Sequence, residues 1–207
     1  MLRHRKFLPN SMNIIRPASK QPIPEHAQKV FSGKLFDVYQ WQQEMYDGTT
    51  ETFEKLKRPD TVVVFAVLPD GKILLTKQEQ PGKTAFIGAT GGRVDHGEDP
   101  LTAAKRELLE ESGYEAERFT LWRAEHPTSK IDWVVYTFIA KGLTKVSEPH
   151  LDEGEKITLM PTTLDELIEL AVHEQLAEKE VAHELQRAKY DTALMSALKL
   201  RFDPTTP

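Results

Sequence analysis

The stretch that most constrains this chain runs from Gly92 to Tyr114, GRVDHGEDPLTAAKRELLEESGY. Asp99 before Pro100 reads as a helix cap followed by a proline at the first helical position, where a missing N–H is harmless, and Gly113 offers a stop just past the end. The spacing predicts a helix from near Pro100 to near Ser112. Within it Leu101, Ala104 and Leu108 share one stripe, which must be buried against a core. Glu107, Glu110 and Glu111 recur at i, i+3 and i+4, so their carboxylates crowd one strip of the opposite, outer side.

Like charges at that spacing destabilise a helix by roughly a few tenths of a kcal/mol per i,i+4 pair. Nothing in a fold requires them there, so something should compensate them. Clustered hard oxygen ligands suit Mg²⁺, an ion typically shared between protein carboxylates and substrate phosphates. The RExxEE core taken alone also reads as a solvated acidic face balanced by Lys105 and Arg106.

The spacing of the whole stretch decides between the two. It resembles the Nudix hydrolase signature, G-x5-E-x7-R-E-U-x-E-E-x-G-U, with U a bulky apolar residue. Gly92, Glu98, Arg106, Glu107, Leu108, Glu110, Glu111 and Gly113 fill its positions, and Tyr114 takes the last apolar slot. The resemblance implies a hydrolase of pyrophosphate linkages with Glu107 and Glu111 as principal Mg²⁺ ligands, Mn²⁺ being the alternative ion. Glu110 would share the metal or its water, and the Gly91 carbonyl would be a backbone ligand. Glu98 and Arg106 would form an ion pair that orients those ligands. Glu110 and Glu111 are therefore candidate catalytic residues, and Glu153 in the loop LDEGEK is the candidate general base, with Glu155 as its rival. By the same resemblance Asp132, after the HPTSK turn, would be an acid that touches substrate.

The chain has 207 residues, enough for one domain with a proper core. It is 29% charged and 39% hydrophobic with a net charge of -5, which disfavours nucleic acid as a partner, and no apolar run is long enough to span a membrane. The absence of cysteine removes disulfides and thiolate sites and fits a reducing compartment, so the cytoplasm is the expected location. Residues 1–24 carry Arg3, Arg5, Lys6, Arg16 and Lys20, only neutral and basic side chains, and several prolines. They read as a loosely ordered basic extension rather than a targeting segment, and without an apolar core a secretory signal is not expected.

From residue 25 the texture changes to strands. QKVFSG, KLFDVYQW and TETFEKLK alternate aromatic and β-branched residues over 25–59, a unit expected to form antiparallel strands. TVVVFAVL is a continuous apolar run, expected as a buried strand hairpinned through Pro69-Asp70-Gly71 into KILLTKQEQ. Pro81 to Gly92 is expected to be a loop that brings backbone close to the site. After the helix, FTLWRAE, WVVYTFIAKG and ITLMP read as strands, LDELIELAV as a capped helix, and Glu180 to Leu200 as one amphipathic stretch whose Val181, Leu185, Ala188, Leu194 and Leu198 belong to the core.

An α/β fold follows, and the signature implies the Nudix α/β/α sandwich with a mixed sheet, residues 60–207 forming the hydrolase domain with its C-terminal helices. The N-terminal strands followed by DGTTETFEKLKRPDTVVVFAV resemble the ADP-ribose and nucleotide-sugar pyrophosphatase branch, and that resemblance implies that residues 25–59 pair across a homodimer. The chain departs from that branch at Gly88, Ala89 and Thr90, where a glutamate is usual, and in the weakly basic TKQEQPG. The expected substrate is thus ADP-ribose or another nucleoside diphosphate sugar, split to a nucleoside monophosphate and a sugar phosphate. The alternatives are a nucleoside triphosphate pyrophosphohydrolase, against which the extra strands argue, and a non-catalytic nucleotide sensor, against which the intact acids argue.

Overall fold

The computed structural model describes residues 13–151 and 154–206. The N-terminal strands are β1 (Gln28–Ser32), β2 (Asp37–Glu44) and β3 (Thr50–Lys57), joined as antiparallel neighbours. The turn at Asp47-Gly48, with Gly48 at φ 81°, sets the register Glu44↔Thr50. A short strand β9 (Ile131–Asp132) completes this sheet by pairing parallel to β3.

The second sheet is the centre of the molecule. It holds β4 (Thr61–Val67), β5 (Ile73–Gln80), β8 (Tyr114–Glu125), β10 (Val135–Lys145) and β11 (Lys156–Thr162) in the order β11-β5-β4-β10-β8. β4 and β10 run parallel and their neighbours antiparallel, so the sheet is mixed as expected. The apolar run of β4 is buried on both faces, which is why it shows no alternation in the sequence. Val62, Val64 and Ala66 face one layer, where helix α1 (Pro100–Ser112) packs through Leu101, Ala104 and Leu108. Val63, Phe65 and Val67 face the other, covered by α2 (Leu164–Val172), α3 (Lys179–Ala188) and α4 (Thr192–Arg201). The result is the expected three-layer α/β/α sandwich. Among the described residues no helix is long and apolar enough to cross a membrane.

Two expectations need correction. Pro81 to Gly92 is not a loop but two strands, β6 (Lys83–Gly88) and β7 (Thr90–Arg93). β4 and β5 pair only at Ala66↔Leu74 and Val67↔Ile73 and then diverge, and β6 and β7 fill the gap by pairing with β5 and β4 respectively. A strand of TGGR has too few side chains to show a period. The stretch from Glu180 to Leu200 is likewise two helices, because Asp191 interrupts it and caps the second by accepting from the Leu194 amide at 3.0 Å. Its apolar set is nonetheless core, Val181, Leu185, Ala188 and Leu198 being buried and Leu194 packed against them.

Residues 13–24 carry no helix or strand, yet they are attached more firmly than a proline-broken basic segment predicts. Arg16 bridges Asp60 at 2.8 Å and Asp132 at 2.9 Å, the buried Lys55 ammonium donates to Ser19 and to the Gln21 carbonyl, and Ile14 packs on the core.

Candidate functional site

The predicted helix occupies its predicted span. Asp99 accepts from the amides of Leu101 at 3.0 Å and Thr102 at 3.1 Å, Pro100 opens the first turn, and Gly113 ends the helix at φ 74°. Its acidic side does not stand free in solvent, however. Glu110 is 45% exposed in its side chain, Glu107 only 14%, and Glu111 as a residue 7%. The physical reason is β7. A Cβ on Gly92 would lie 2.3 to 2.6 Å from the carboxylate of Glu107, and one on Gly91 would lie 2.2 Å from the Val62 carbonyl. Bare backbone at these positions lets the acidic side of α1 settle directly on the strand.

Arg106 ties the acids together. Its guanidinium donates to both oxygens of Glu98 at 3.1 and 3.0 Å, to Glu107 at 2.8 Å, to Glu110 at 3.1 Å and to the Arg93 carbonyl at 2.9 Å. The expected Glu98–Arg106 pair is therefore present, in the bidentate form that fixes orientation as well as charge. Glu98 is held below the usual carboxylate range by Arg106, and Arg106 above the usual guanidinium range chiefly by Glu98. Glu111 lies beyond this network. Its Oε2 accepts from the Gly91 amide at 3.0 Å, and burial, reinforced by the negative charges of Glu107, Glu155 and Glu178, pushes its carboxyl up to about 8. Burial raises Glu107 as well, against the pull of Arg106.

The acids line one cavity of about 520 Å³, together with Gln78, Gln80, His150 and Glu155. The Gln80 amide lies 3.4 Å from Glu155, whose carboxylate thus faces α1 from the loop before β11. Glu153, the candidate base, lies outside the described residues. Asp132 is not among the acids. β9 carries it to the N-terminal sheet, where it receives Arg16 and lines a second cavity of about 700 Å³ with Lys57, Arg58 and Asp60. The two cavities adjoin through Asp95, which lines both. Gln78, Gln80 and His150 carry no signal in the sequence, since they meet the acids only through sheet pairing and a chain reversal. Glu178, the residue before α3, lies just outside the amphipathic stretch read from Glu180 and carries no signal of its own.

Among the described residues no three of the acidic side chains close on one ion-sized point. Arg106 pairs with Glu107 and Glu110. The donor set still fits a hard divalent cation. It consists of carboxylate oxygens, two of them in groups whose ionised form is disfavoured by burial, and Arg106 does not reach Glu111, the most strongly shifted of them. A cation in the cavity would relieve that charge.

The NUDIX domain family matches residues 57–185. An ADP-ribose pyrophosphatase of Bacillus subtilis (strain 168) is 31% identical over 172 residues, covering 82% of this chain and 93% of that protein. A methanol dehydrogenase activator of Bacillus methanolicus is 30% identical over 171 residues, covering 81% and 92%. A crystal structure of an ADP compounds hydrolase superposes with a TM-score of 0.57 at 24% identity, over 74% of this chain and 85% of that one, and shares the fold.

Proposed function

The chain belongs to the NUDIX family, and from that premise we propose that it is a hydrolase of the pyrophosphate linkage in a nucleoside diphosphate sugar, ADP-ribose or a close analogue. The observation that carries this reading is the buried carboxylate of Glu111, anchored to the Gly91 amide and facing Glu107, Glu110 and Glu155 across one cavity. Glu107 and Glu111 would hold a divalent metal, Mg²⁺ with Mn²⁺ as substitute, with Glu110 and the Gly91 carbonyl as further oxygens. That ion would neutralise the diphosphate and lower the pKa of the attacking water. The protein's own part is orientation and proton transfer. Arg106 keeps Glu107 and Glu110 turned toward the cavity while Glu98 holds Arg106 in place. The proton of the attacking water passes to a glutamate of the loop before β11, Glu155 lining the cavity and Glu153 lying two residues earlier.

The adjoining cavities give room for a two-part substrate. With the diphosphate over α1, the remainder extends past Asp95 into the cavity of Lys57, Arg58 and Asp132, which gives Asp132 its expected contact with substrate. A homodimer through the N-terminal sheet and a cytoplasmic location complete this reading. The edge strand β1 is exposed along its whole length, and the cysteine-free composition suits a reducing compartment.

The test is phosphate release, coupled to a phosphatase, from ADP-ribose, ADP-glucose, UDP-glucose, GDP-mannose and 8-oxo-dGTP with and without Mg²⁺. Metal-dependent turnover of a sugar nucleotide above the triphosphate is expected. Preference for 8-oxo-dGTP would replace the reading with nucleotide clean-up. No turnover, with the ligands still raising the melting temperature, would replace it with a sensor.

A further inference from the structure

The chain beyond α2 returns to the sheet before α3 begins. Leu176 forms a parallel bridge with Ile87, and the Ala177 amide donates to the Ile87 carbonyl at 2.8 Å, so this connector runs alongside the end of β6. The next residue, Glu178, is 9% exposed and turns its side chain inward. Its Oε1 accepts from the Ala89 amide at 3.0 Å, at the joint between β6 and β7, while its Oε2 is buried and finds no partner among the described residues. The joint is shaped to receive it. A Cβ on Gly88 would lie 2.5 Å from Glu178 Oε1 and 3.2 Å from the Ala177 Cβ, so only glycine at 88 leaves the carboxyl its place.

A buried carboxyl with one oxygen unpaired is a poor choice for stability, since an apolar side chain would fill the same space without the desolvation penalty. α3 does not need it either, because Glu178 makes no capping bond to its own helix. What Glu178 does hold is a piece of the site. Ala89 is two residues before Gly91, whose amide carries the Glu111 carboxylate at 3.0 Å. We propose that Glu178 is a positioning residue for the acidic centre: by gripping the Ala89 amide it fixes the β6–β7 joint, and through it the Gly91 backbone from which Glu111 is held.

This inference rests on the metal-dependent reading of the site, and its test separates the two. The full-length protein is titrated with Mn²⁺ without substrate, free Mn²⁺ being read by electron paramagnetic resonance, and kcat and KM for ADP-ribose are measured alongside. Glu178→Ala should weaken Mn²⁺ binding roughly 10-fold or more and lower kcat with little change in KM, as loss of a group that orients a ligand does. Glu178→Gln retains the acceptor and should stay within about threefold of wild type in Mn²⁺ affinity. Gly88→Ala should mimic Glu178→Ala by displacing the carboxyl, and the double variant should be no worse than either single one, because both break the same contact. Wild-type Mn²⁺ affinity in folded Glu178→Ala, or additive losses in the double variant, would overturn the proposal. If Glu178→Ala does not fold, Gly88→Ala decides alone: wild-type Mn²⁺ affinity there overturns it. Absence of Mn²⁺ binding by the wild type would overturn the metal reading itself, and this proposal with it.

Discussion

At the scale of single residues, Glu111 and Glu178 are both buried carboxyls, but they make opposite demands. Glu111→Gln keeps an oxygen for the Gly91 amide and removes a charge that burial opposes, so the fold should survive at an unchanged or higher melting temperature. The same change removes a ligand oxygen's charge, so kcat should fall roughly 100-fold or more and stabilisation by Mg²⁺ should disappear. Unfolding of this variant, or full activity, would move the site elsewhere. Glu178 governs pH. Burial raises its folded-state carboxyl from an ordinary 4.5 to about 8, so its contribution to stability is complete below 4.5 and is lost as pH rises toward 8. Denaturant unfolding across that window should show wild type losing stability and Glu178→Gln losing less, the two curves crossing in favour of glutamine at the alkaline end. Parallel curves would show that Glu178 titrates normally. The sequence displayed Glu107, Glu110 and Glu111 because they sit in a fixed spacing on one helix. It concealed Glu178, whose meaning lies in one contact with Ala89 across 89 positions of chain.

At the scale of elements, the helix was legible and the strand beneath it was not. α1 announces itself through an aspartate cap, a proline, a buried stripe and a terminal glycine, all local signals. β7 announces nothing, because its role is to lack side chains. Its two glycines are constrained by different neighbours, and they should fail differently. A Cβ at Gly91 meets the Val62 carbonyl at 2.2 Å, which is backbone and cannot yield, so Gly91→Ala should destabilise the fold by about 1–3 kcal/mol. The nearest atoms to a Cβ at Gly92 are those of the Glu107 carboxylate, a side-chain end that can swing aside. Gly92→Ala should therefore melt close to wild type while losing metal affinity and activity roughly 10-fold or more. Thermal melts beside Mn²⁺ titrations check the pair. Equal loss of stability in both would mean that α1 and β7 cannot part at all. The same logic places Asp132, expected from the sequence to touch substrate, on a two-residue strand that pairs with β3 and delivers it to Arg16.

At the scale of the whole molecule, the layering followed from periodicity: β4 is apolar throughout because helices cover both its faces, and the helices show one apolar stripe each. The N-terminal sheet breaks that rule. β1 is exposed at every residue, with Val30 at 50% and Phe31 at 58%, on an edge that is unpaired among the described residues. Such an edge invites pairing with another chain unless it is short, charged or covered, and here it carries adjacent apolar side chains. A second copy of the same sheet offers matching backbone groups and the same apolar pair, and a twofold arrangement would bury both at once. Sedimentation should therefore find a dimer, and Phe31→Glu should dissociate it by setting like charges against each other across the axis. The acids of α1, the glycines of β7 and Glu178 all come from one chain, on the far side of β4 from this edge in sequence. Mn²⁺ affinity should accordingly be unchanged in the Phe31→Glu monomer. A monomeric wild type would assign the exposed edge another role, and a dimer that survives the charge would place the contact on a different surface.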